Sequence, residues 1–197
     1  MLPVATACLR SQEGKMLFQP TPIAGIFEIS IDWQHDSRGG FGRVFCREEF
    51  AAHKLGPDLA QCSLSRNSVA RTVRGFHLQA RPHEEAKLVH CIGGRMFDVA
   101  LDLRAGSPTY GHHHAVELSA ANNKMLYIPE GCAHGFQTIE NDTAIMYYIS
   151  TSYQPASGRG VRWNDPALKV KWPFADGAIV NERDQTLPLL VNYSPGV

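Results

Sequence analysis

Apolar and polar residues alternate with a period of two through much of the chain, the spacing of a half-buried strand. Gly25 to Trp33 (GIFEISIDW) alternates well. Ala86 to Cys91 and Met96 to Leu103 are two apolar runs, and Ile92-Gly93-Gly94-Arg95 between them supplies a turn, so the pair predicts a hairpin. Ala115 to Leu118 is short and apolar. Lys124 to Ile128 stops at Pro129-Glu130-Gly131, a turn signal. Gly135 to Ile139 and Ala144 to Ser150 predict a second pair around Glu140-Asn141-Asp142. Helical periodicity is scarce; Glu48 to Leu55 predicts one short helix, stopped at Gly56-Pro57. Residues from roughly 58 to 155 therefore predict an all-β sandwich or barrel with few short helices. From Trp163 the chain is Pro-rich and irregular, and is predicted to wrap the core or a neighbouring subunit.

Composition narrows this. The 197 residues suffice for a single domain with a real core, expected over about 23–173 with a wrapping segment over 174–197. Lysines and arginines number 19, as do aspartates and glutamates, so the chain lacks the basic excess of a nucleic-acid binder. Cys8, Cys46, Cys62, Cys91 and Cys132 are scattered, with no CxxC pair, which argues against a disulfide framework or a structural zinc site. No run reaches the ~20 apolar residues that cross a membrane. Met1 to Arg10 makes a poor signal peptide, having no basic leader or long apolar core. A cytoplasmic location is expected.

Chemistry-bearing residues gather in a few segments. Arg74-Gly75-Phe76-His77-Leu78-Gln79 reads as strand, with His77 and Gln79 on one face. Lys87 follows ten residues after His77. His134 comes just after the Pro129-Glu130-Gly131 turn, Tyr147 lies in a strand beside Tyr148, and Asp184 ends Asn181-Glu182-Arg183-Asp184. Taken singly, such histidines and tyrosines are ordinary core or surface residues. The triplet His112-His113-His114 suggests a metal at first sight, but neighbours on a strand alternate faces and do not converge on one ion. It is read as an exposed loop.

Seven longer motifs in order add what spacing alone does not: DSRGGF (36–41), VRGFHLQ (73–79), KLVHC (87–91), FDVALDLRAGSPTYG (97–111), YIPEGCAHGF (127–136), WNDP (163–166) and KWP (171–173). With them the chain resembles the cupin-type epimerases of nucleotide-diphosphate 4-keto-6-deoxyhexoses, the dTDP-4-dehydrorhamnose 3,5-epimerase family, from about Ile23 to Leu190. The resemblance implies a jelly-roll barrel, a homodimer, and no metal or cofactor. It implies that His77 is a base paired with Asp184, that Tyr147 is the acid on the other face of the sugar, and that Lys87 sits by the ketone oxygen. Arg74, His134, Gln61 and Ser63 are implied substrate contacts, and Gln79, on the face of His77, and Tyr153 are expected to join them. So is Arg38, offered across the dimer, with Arg183 joining the arginines for the diphosphate.

These roles are chemically coherent. A proton beside a ketone becomes acidic when the enolate is stabilised, and a cation aimed at the oxygen does this. Imidazole accepts protons near neutral pH, and a carboxylate behind it fixes its tautomer. Guanidinium groups suit phosphate oxygens. The chain also departs from the family pattern. Arg43 and Gly158, the latter followed by Arg159, stand where family members carry glutamates, and Gln61-Cys62-Ser63 stands where they carry QxN. The departures leave the proton chemistry in place and leave the nucleotide (thymidine by default) and the sugar open. The choice between C3, C5 or both is open too. A sugar-nucleotide ketoisomerase and a non-catalytic sugar-nucleotide binding protein are the alternative readings.

Overall fold

The computed structural model describes residues 14–56 and 58–194. The opening stretch through Arg10 with Cys8, the helix-stopping Pro57 and the end of the wrapping segment (195–197) lie outside the described residues. In chain order the elements are β1 (Leu17–Pro20), β2 (Phe27–Ser30), β3 (Gln34–Asp36), β4 (Gly39–Phe41), α1 (Arg47–Ala52), β5 (Gln61–Asn67), β6 (Val73–Gln79), β7 (Lys87–Gly93), β8 (Arg95–Asp102), β9 (His113–Ser119), β10 (Lys124–Ile128), β11 (Cys132–Thr138), β12 (Thr143–Ile149), β13 (Gly158–Gly160) and α2 (Glu182–Thr186). A six-stranded sheet runs β1-β2-β10-β7-β12-β5, and a five-stranded sheet runs β13-β6-β11-β8-β9. Both are antiparallel throughout, the all-β architecture that the alternation predicts and the jelly roll that the resemblance implies.

The inner faces meet in one apolar layer. Val89, Cys91, Leu126, Ile128 and Ile145 of the larger sheet pack on Met96, Ala100, Leu118 and Phe136 of the smaller. Outside the larger sheet, α1 lays Phe50 on Met125 and Tyr127. Outside the smaller sheet, Trp163 and Trp172 cover Phe76, Val99 and Leu101. The irregular tail continues that cover on its own barrel: Val180, Leu190 and Tyr193 pack there, and the Val73 and Ile179 backbones join through an N–H to carbonyl bond of 2.8 Å.

Two predicted hairpins are corners instead. β7 pairs with β10 and β12, while β8 pairs with β9 and β11, so the chain crosses between sheets at Gly94. β11 and β12 likewise part into different sheets at the Glu140-Asn141-Asp142 turn. The cause is burial: β8 and β11 are covered along most of both faces, so their side-chain patterns say nothing about which strand lies beside them. A turn that closes a hairpin also rounds a corner. At Gly94 φ is +70°, and a β-carbon would lie 3.0 Å from the Thr143 Cα, so only glycine fits.

The predicted helix is shorter at its end than Leu55. Lys54 takes φ +59°, Leu55 N–H returns to the Phe50 carbonyl (3.0 Å) and Lys54 N–H to Ala51 (2.9 Å), a Schellman closure with Leu55 packed beside Phe50. Of the strand expected over Gly25 to Trp33, only Phe27–Ser30 pairs. The histidine triplet is not an exposed loop: His113 and His114 open β9, and the half-buried His114 meets Glu28 at 3.0 Å. Among the described residues, no helix is long and apolar enough to cross a membrane.

Gly75 marks the tightest approach of β6 to β11. Its φ is +131°, and a β-carbon there would meet the Gly135 Cα at 2.5 Å and the His134 carbonyl at 2.9 Å. Both obstacles are backbone. Gly75→Ala is expected to cost about 3 kcal/mol, seen as a lower urea midpoint at unchanged slope. An unaltered midpoint contradicts this packing.

Candidate active site

Strand register decides which side chains share the barrel interior. On the larger sheet, Tyr147 of β12 stands opposite Ser63 of β5 and Val89 of β7, and Ile149 stands opposite Gln61 and Lys87. Opposed residues of an antiparallel pair point the same way, so Gln61, Ser63, Lys87 and Tyr147 face inward together. Tyr148 points the other way, as expected, and joins the layer under α1. On the smaller sheet, His77 of β6 stands opposite His134 of β11, and Arg74 opposite Phe136 across an irregularity in register. The two sets line one cavity of about 390 Å³, with Tyr153 at its rim.

His77 is anchored from behind. Its Nε2 lies 2.7 Å from Asp184 Oδ1, and Asp184 Oδ2 accepts the Gly75 N–H at 3.0 Å. Asp184 is held in turn by Asn181, whose side chain caps α2 and accepts the Asp184 N–H at 2.7 Å. Burial pushes the Asp184 carboxyl up. The hydrogen bond and charge of His77, the Gly75 amide and the Arg183 charge outweigh it, leaving the pKa below the ordinary value. Asp184 is therefore an ionised acceptor at neutral pH, and Nε2 of a neutral His77 carries the proton. The free electron pair is then on Nδ1.

His134 has a carboxylate of its own. Its Nε2 lies 2.6 Å from Oδ1 of Asp98, a residue with no solvent exposure, and Asp98 Oδ2 has no hydrogen-bond partner. The rings of His134 and Tyr147 meet edge-on at 5.8 Å. Burial first, then the Asp98 charge, raises the Tyr147 phenol well above its ordinary pKa, against a smaller opposing effect of Arg74. The phenol thus stays protonated over the physiological range. Lys87 Nζ lies 2.7 Å from Glu85 Oε1 and donates to the His77 carbonyl at 3.3 Å. Arg74 is steadied by Asn67, to which its Nε donates at 2.9 Å.

Of the residues singled out in the sequence, His77, Lys87, Tyr147, Arg74, His134, Gln61, Ser63 and Tyr153 line the cavity, and Asp184 stands behind it. Three do not reach it. Gln79 shares the pleat of His77, but β13 and two loops close over that end of the strand. Its amide is spent on the Gln154 N–H (2.6 Å) and the His83 carbonyl (3.0 Å). Arg38 sits in the β3–β4 hairpin, paired with Asp36 at 2.6 Å, beside a separate shallow hollow. Arg183 is exposed on α2, its guanidinium against Gly158. A larger cavity of about 600 Å³, near Arg104 and Tyr193, is lined by Gln79 but by none of His77, Lys87, Tyr147 and Asp184.

Sequence reasoning missed Asp98 and Glu85. A signal for Asp98 existed: a carboxylate inside the apolar run MFDVALDL, at a position that has to be buried. Glu85 lies just outside its strand, where period-two reasoning has no purchase. Among the described residues, no three His, Cys, Asp or Glu side chains gather as metal ligands.

Comparison with known proteins accords with this geometry. The family model described as dTDP-4-dehydrorhamnose 3,5-epimerase matches residues 20–192. The chain is 39% identical to the dTDP-4-dehydrorhamnose 3,5-epimerase of Sinorhizobium fredii, covering 89% of this chain and 90% of that one. It is 38% identical to the dTDP-4-dehydrorhamnose 3-epimerase of Streptomyces niveus, covering 89% and 84%. Its fold is similar to that of a 3,5-epimerase from Legionella pneumophila, solved in complex with dTDP-4-keto-L-rhamnose, at a TM-score of 0.85 and 30% identity over 91% of this chain and 95% of that one. With a family model spanning most of its length and relatives matched nearly end to end, the chain belongs to the dTDP-4-dehydrorhamnose 3,5-epimerase family.

Proposed function

We propose that this protein is an epimerase of a dTDP-linked 4-keto-6-deoxyhexose, inverting carbons beside the ketone by removing a proton from one face and returning one to the other. One observation carries the reading. His77 with Asp184 and the protonated Tyr147 belong to opposite sheets and face each other across a single cavity, with Lys87 on its wall. Inversion needs a base and an acid on opposite sides of a planar enolate. C3 and C5 both flank the C4 ketone, so either can be acidified by the same polarised oxygen.

The steps follow. His77 Nδ1 takes the proton from the carbon, the C–H electron pair forms a double bond to C4, and the carbonyl π pair moves onto the oxygen to give an enolate. Asp184 steadies the imidazolium so formed. Lys87 stabilises the oxygen as charge develops there. Tyr147 then protonates the opposite face; the phenolate regains a proton from solvent and the His77 imidazolium gives one up, which restores the enzyme. The reaction is redox-neutral, so it calls for no cofactor. In this reading Arg74 holds the diphosphate, and Gln61, Ser63, His134 and Tyr153, which line the same cavity, contact the sugar nucleotide. The enzyme works in the cytoplasm as a homodimer, and Arg38 enters the neighbouring subunit's site; its exposed place on a protruding hairpin supports this. The chain acts as one unit, a core over 23–173 strapped by the segment that follows it, described to residue 194.

Proton NMR of dTDP-4-keto-6-deoxyglucose in deuterium oxide is the direct test. The wild type is expected to wash deuterium into C3, C5 or both. His77→Ala is expected to lower turnover by about a hundredfold or more. Tyr147→Phe is expected to keep exchange while losing inversion, because the base alone returns a proton to its own face. Normal inversion by Tyr147→Phe removes the acid from this scheme.

Asp184 gives a pH signature. Its folded pKa is below its unfolded value, so its ionised form stabilises the fold above the unfolded pKa, about 4. That contribution disappears as pH falls through the folded value. The stability gap between wild type and Asp184→Asn is expected to be widest near neutrality and to close in acid, measured by urea melts across pH. A gap that widens in acid contradicts the assignment.

The partner role of Arg38 is tested by mixing. Arg38→Ala and His77→Ala proteins, each nearly inactive, are expected to regain activity when unfolded together and refolded, because mixed dimers hold one intact site. Absence of recovery places Arg38 in its own subunit's chemistry or in none.

A further inference from the structure

Glu85 is the carboxylate on the cavity wall that serves neither histidine. Its side chain is 9% exposed and that of Lys87 11%, and the two meet at 2.7 Å. Burying two charges is costly, and such a pair is often worth no more to stability than apolar residues of the same size. Its presence in the cavity therefore asks for another explanation.

The geometry around Lys87 supplies one. An ammonium has three N–H donors. One meets Glu85 and one the carbonyl of His77, the base itself. The two contacts leave a single N–H for the cavity. Without Glu85, a flexible four-carbon stem would carry the ammonium through many rotamers. The backbone between the two residues is also fixed: Ala86 N–H donates to Ser150 Oγ at 2.8 Å, and the Ala86 carbonyl accepts the Ser150 N–H at 3.1 Å. Ser150 directly follows β12, the strand of Tyr147. The Glu85-Ala86-Lys87 segment is thus registered against both the base and the acid.

We propose that Glu85 is a positioning residue, which holds the Lys87 ammonium so that its remaining N–H points at the substrate's ketone oxygen. This rests on the reading of Lys87 as the group that polarises that ketone. Catalysis by a hydrogen-bond donor depends on its being in place before charge develops, and an error of about 1 Å can cost a hundredfold in rate. On this account what matters is the reach of the side chain at 85 and its ability to accept a hydrogen bond, more than its charge.

Two conservative variants separate these properties. Glu85→Gln keeps the reach and an acceptor oxygen but removes the charge. Glu85→Asp keeps the charge but shortens the reach by one methylene. Both are measured for kcat and KM with dTDP-4-keto-6-deoxyglucose, alongside Lys87→Ala and the Glu85→Asp/Lys87→Ala double variant, with thermal melts to establish folding. Glu85→Gln is expected to stay within about threefold of wild-type kcat. Glu85→Asp is expected to lose about tenfold to a hundredfold in kcat, with KM changed by less than about threefold. The double variant is expected to be no slower than Lys87→Ala alone, because a residue acting through another adds nothing once that other is gone.

The reverse order, Gln slow and Asp near normal, overturns the proposal in favour of charge. Losses that multiply in the double variant overturn it too, as do Tm changes with kcat unaltered, which would make Glu85 part of the fold only. If the wild type washes no deuterium into the sugar at all, the epimerase reading falls and takes this inference with it. If the wild type exchanges normally and the Glu85 series is flat, only the role of Glu85 fails.

Discussion

The contact between His77 and Asp184 joins residues 107 positions apart, and most of the architecture can be understood as what keeps it in place. Asp184 comes from a tail that has little regular structure. For its carboxylate to reach β6, the tail has to pack back over the outer face of the smaller sheet. It does so by apolar cover from Val180, Leu190 and Tyr193, and by the short bridge between Thr72 and Ile179. The last few ångströms are set locally, by the Asn181 cap on α2 and by the Gly75 amide, which is available because Gly75 takes a backbone conformation closed to other residues. Orientation of the imidazole, and with it the choice of which nitrogen is basic, follows from that chain of supports.

A second constraint acts on both walls of the cavity. The barrel interior shelters an unusual number of polar side chains, and each has to be satisfied or neutralised to be tolerated there. Lys87 has Glu85, His134 has Asp98, and Gln61 holds the Tyr153 backbone N–H at 3.0 Å while facing the cavity. Asp98 is the exception, with one oxygen bare in a fully buried place. Its charge contributes to keeping the Tyr147 phenol protonated. The incomplete hydrogen bonding of Asp98 and the protonated state of Tyr147 are two aspects of one arrangement, in which a bare, buried carboxylate oxygen lies where its charge helps keep the phenol neutral.

Much of this was legible in the sequence because it depends on local pattern. Lys124–Ile128 was bounded correctly by its alternation and the following turn, and the opposite facing of Tyr147 and Tyr148 follows from a period of two. Pairing partners were not legible. Alternation tells a strand's faces and not its neighbours, so two corners passed for hairpins. For the same reason Gln79 was assigned to the cavity on the strength of sharing a face with His77; what removes it is the loop carrying Gln154, which no local pattern places there. Family resemblance supplied Asp184, which spacing alone could not connect to His77. Neither source pointed to Asp98, whose significance depends on the register of β8 against β11.

The departures from the family pattern can be judged by the same geometry. Arg43 is tied to Glu49 of α1 at 3.0 Å, on the outer side of the larger sheet. Gly158 lies in β13, across β6 from the cavity, and the absence of a side chain there gives the Arg183 guanidinium room to lie against it: a β-carbon at 158 would stand 3.3 Å from Arg183 Nη2. Neither position lines the cavity that holds His77, Lys87 and Tyr147. A glutamate at 158 would bring a negative charge beside Arg183, whose positive charge helps keep Asp184 ionised. Its loss therefore leaves Arg183 free to act on Asp184 from outside. Position 158 is thus electrostatically connected to Asp184, behind His77, while lying outside the cavity that His77, Lys87 and Tyr147 line.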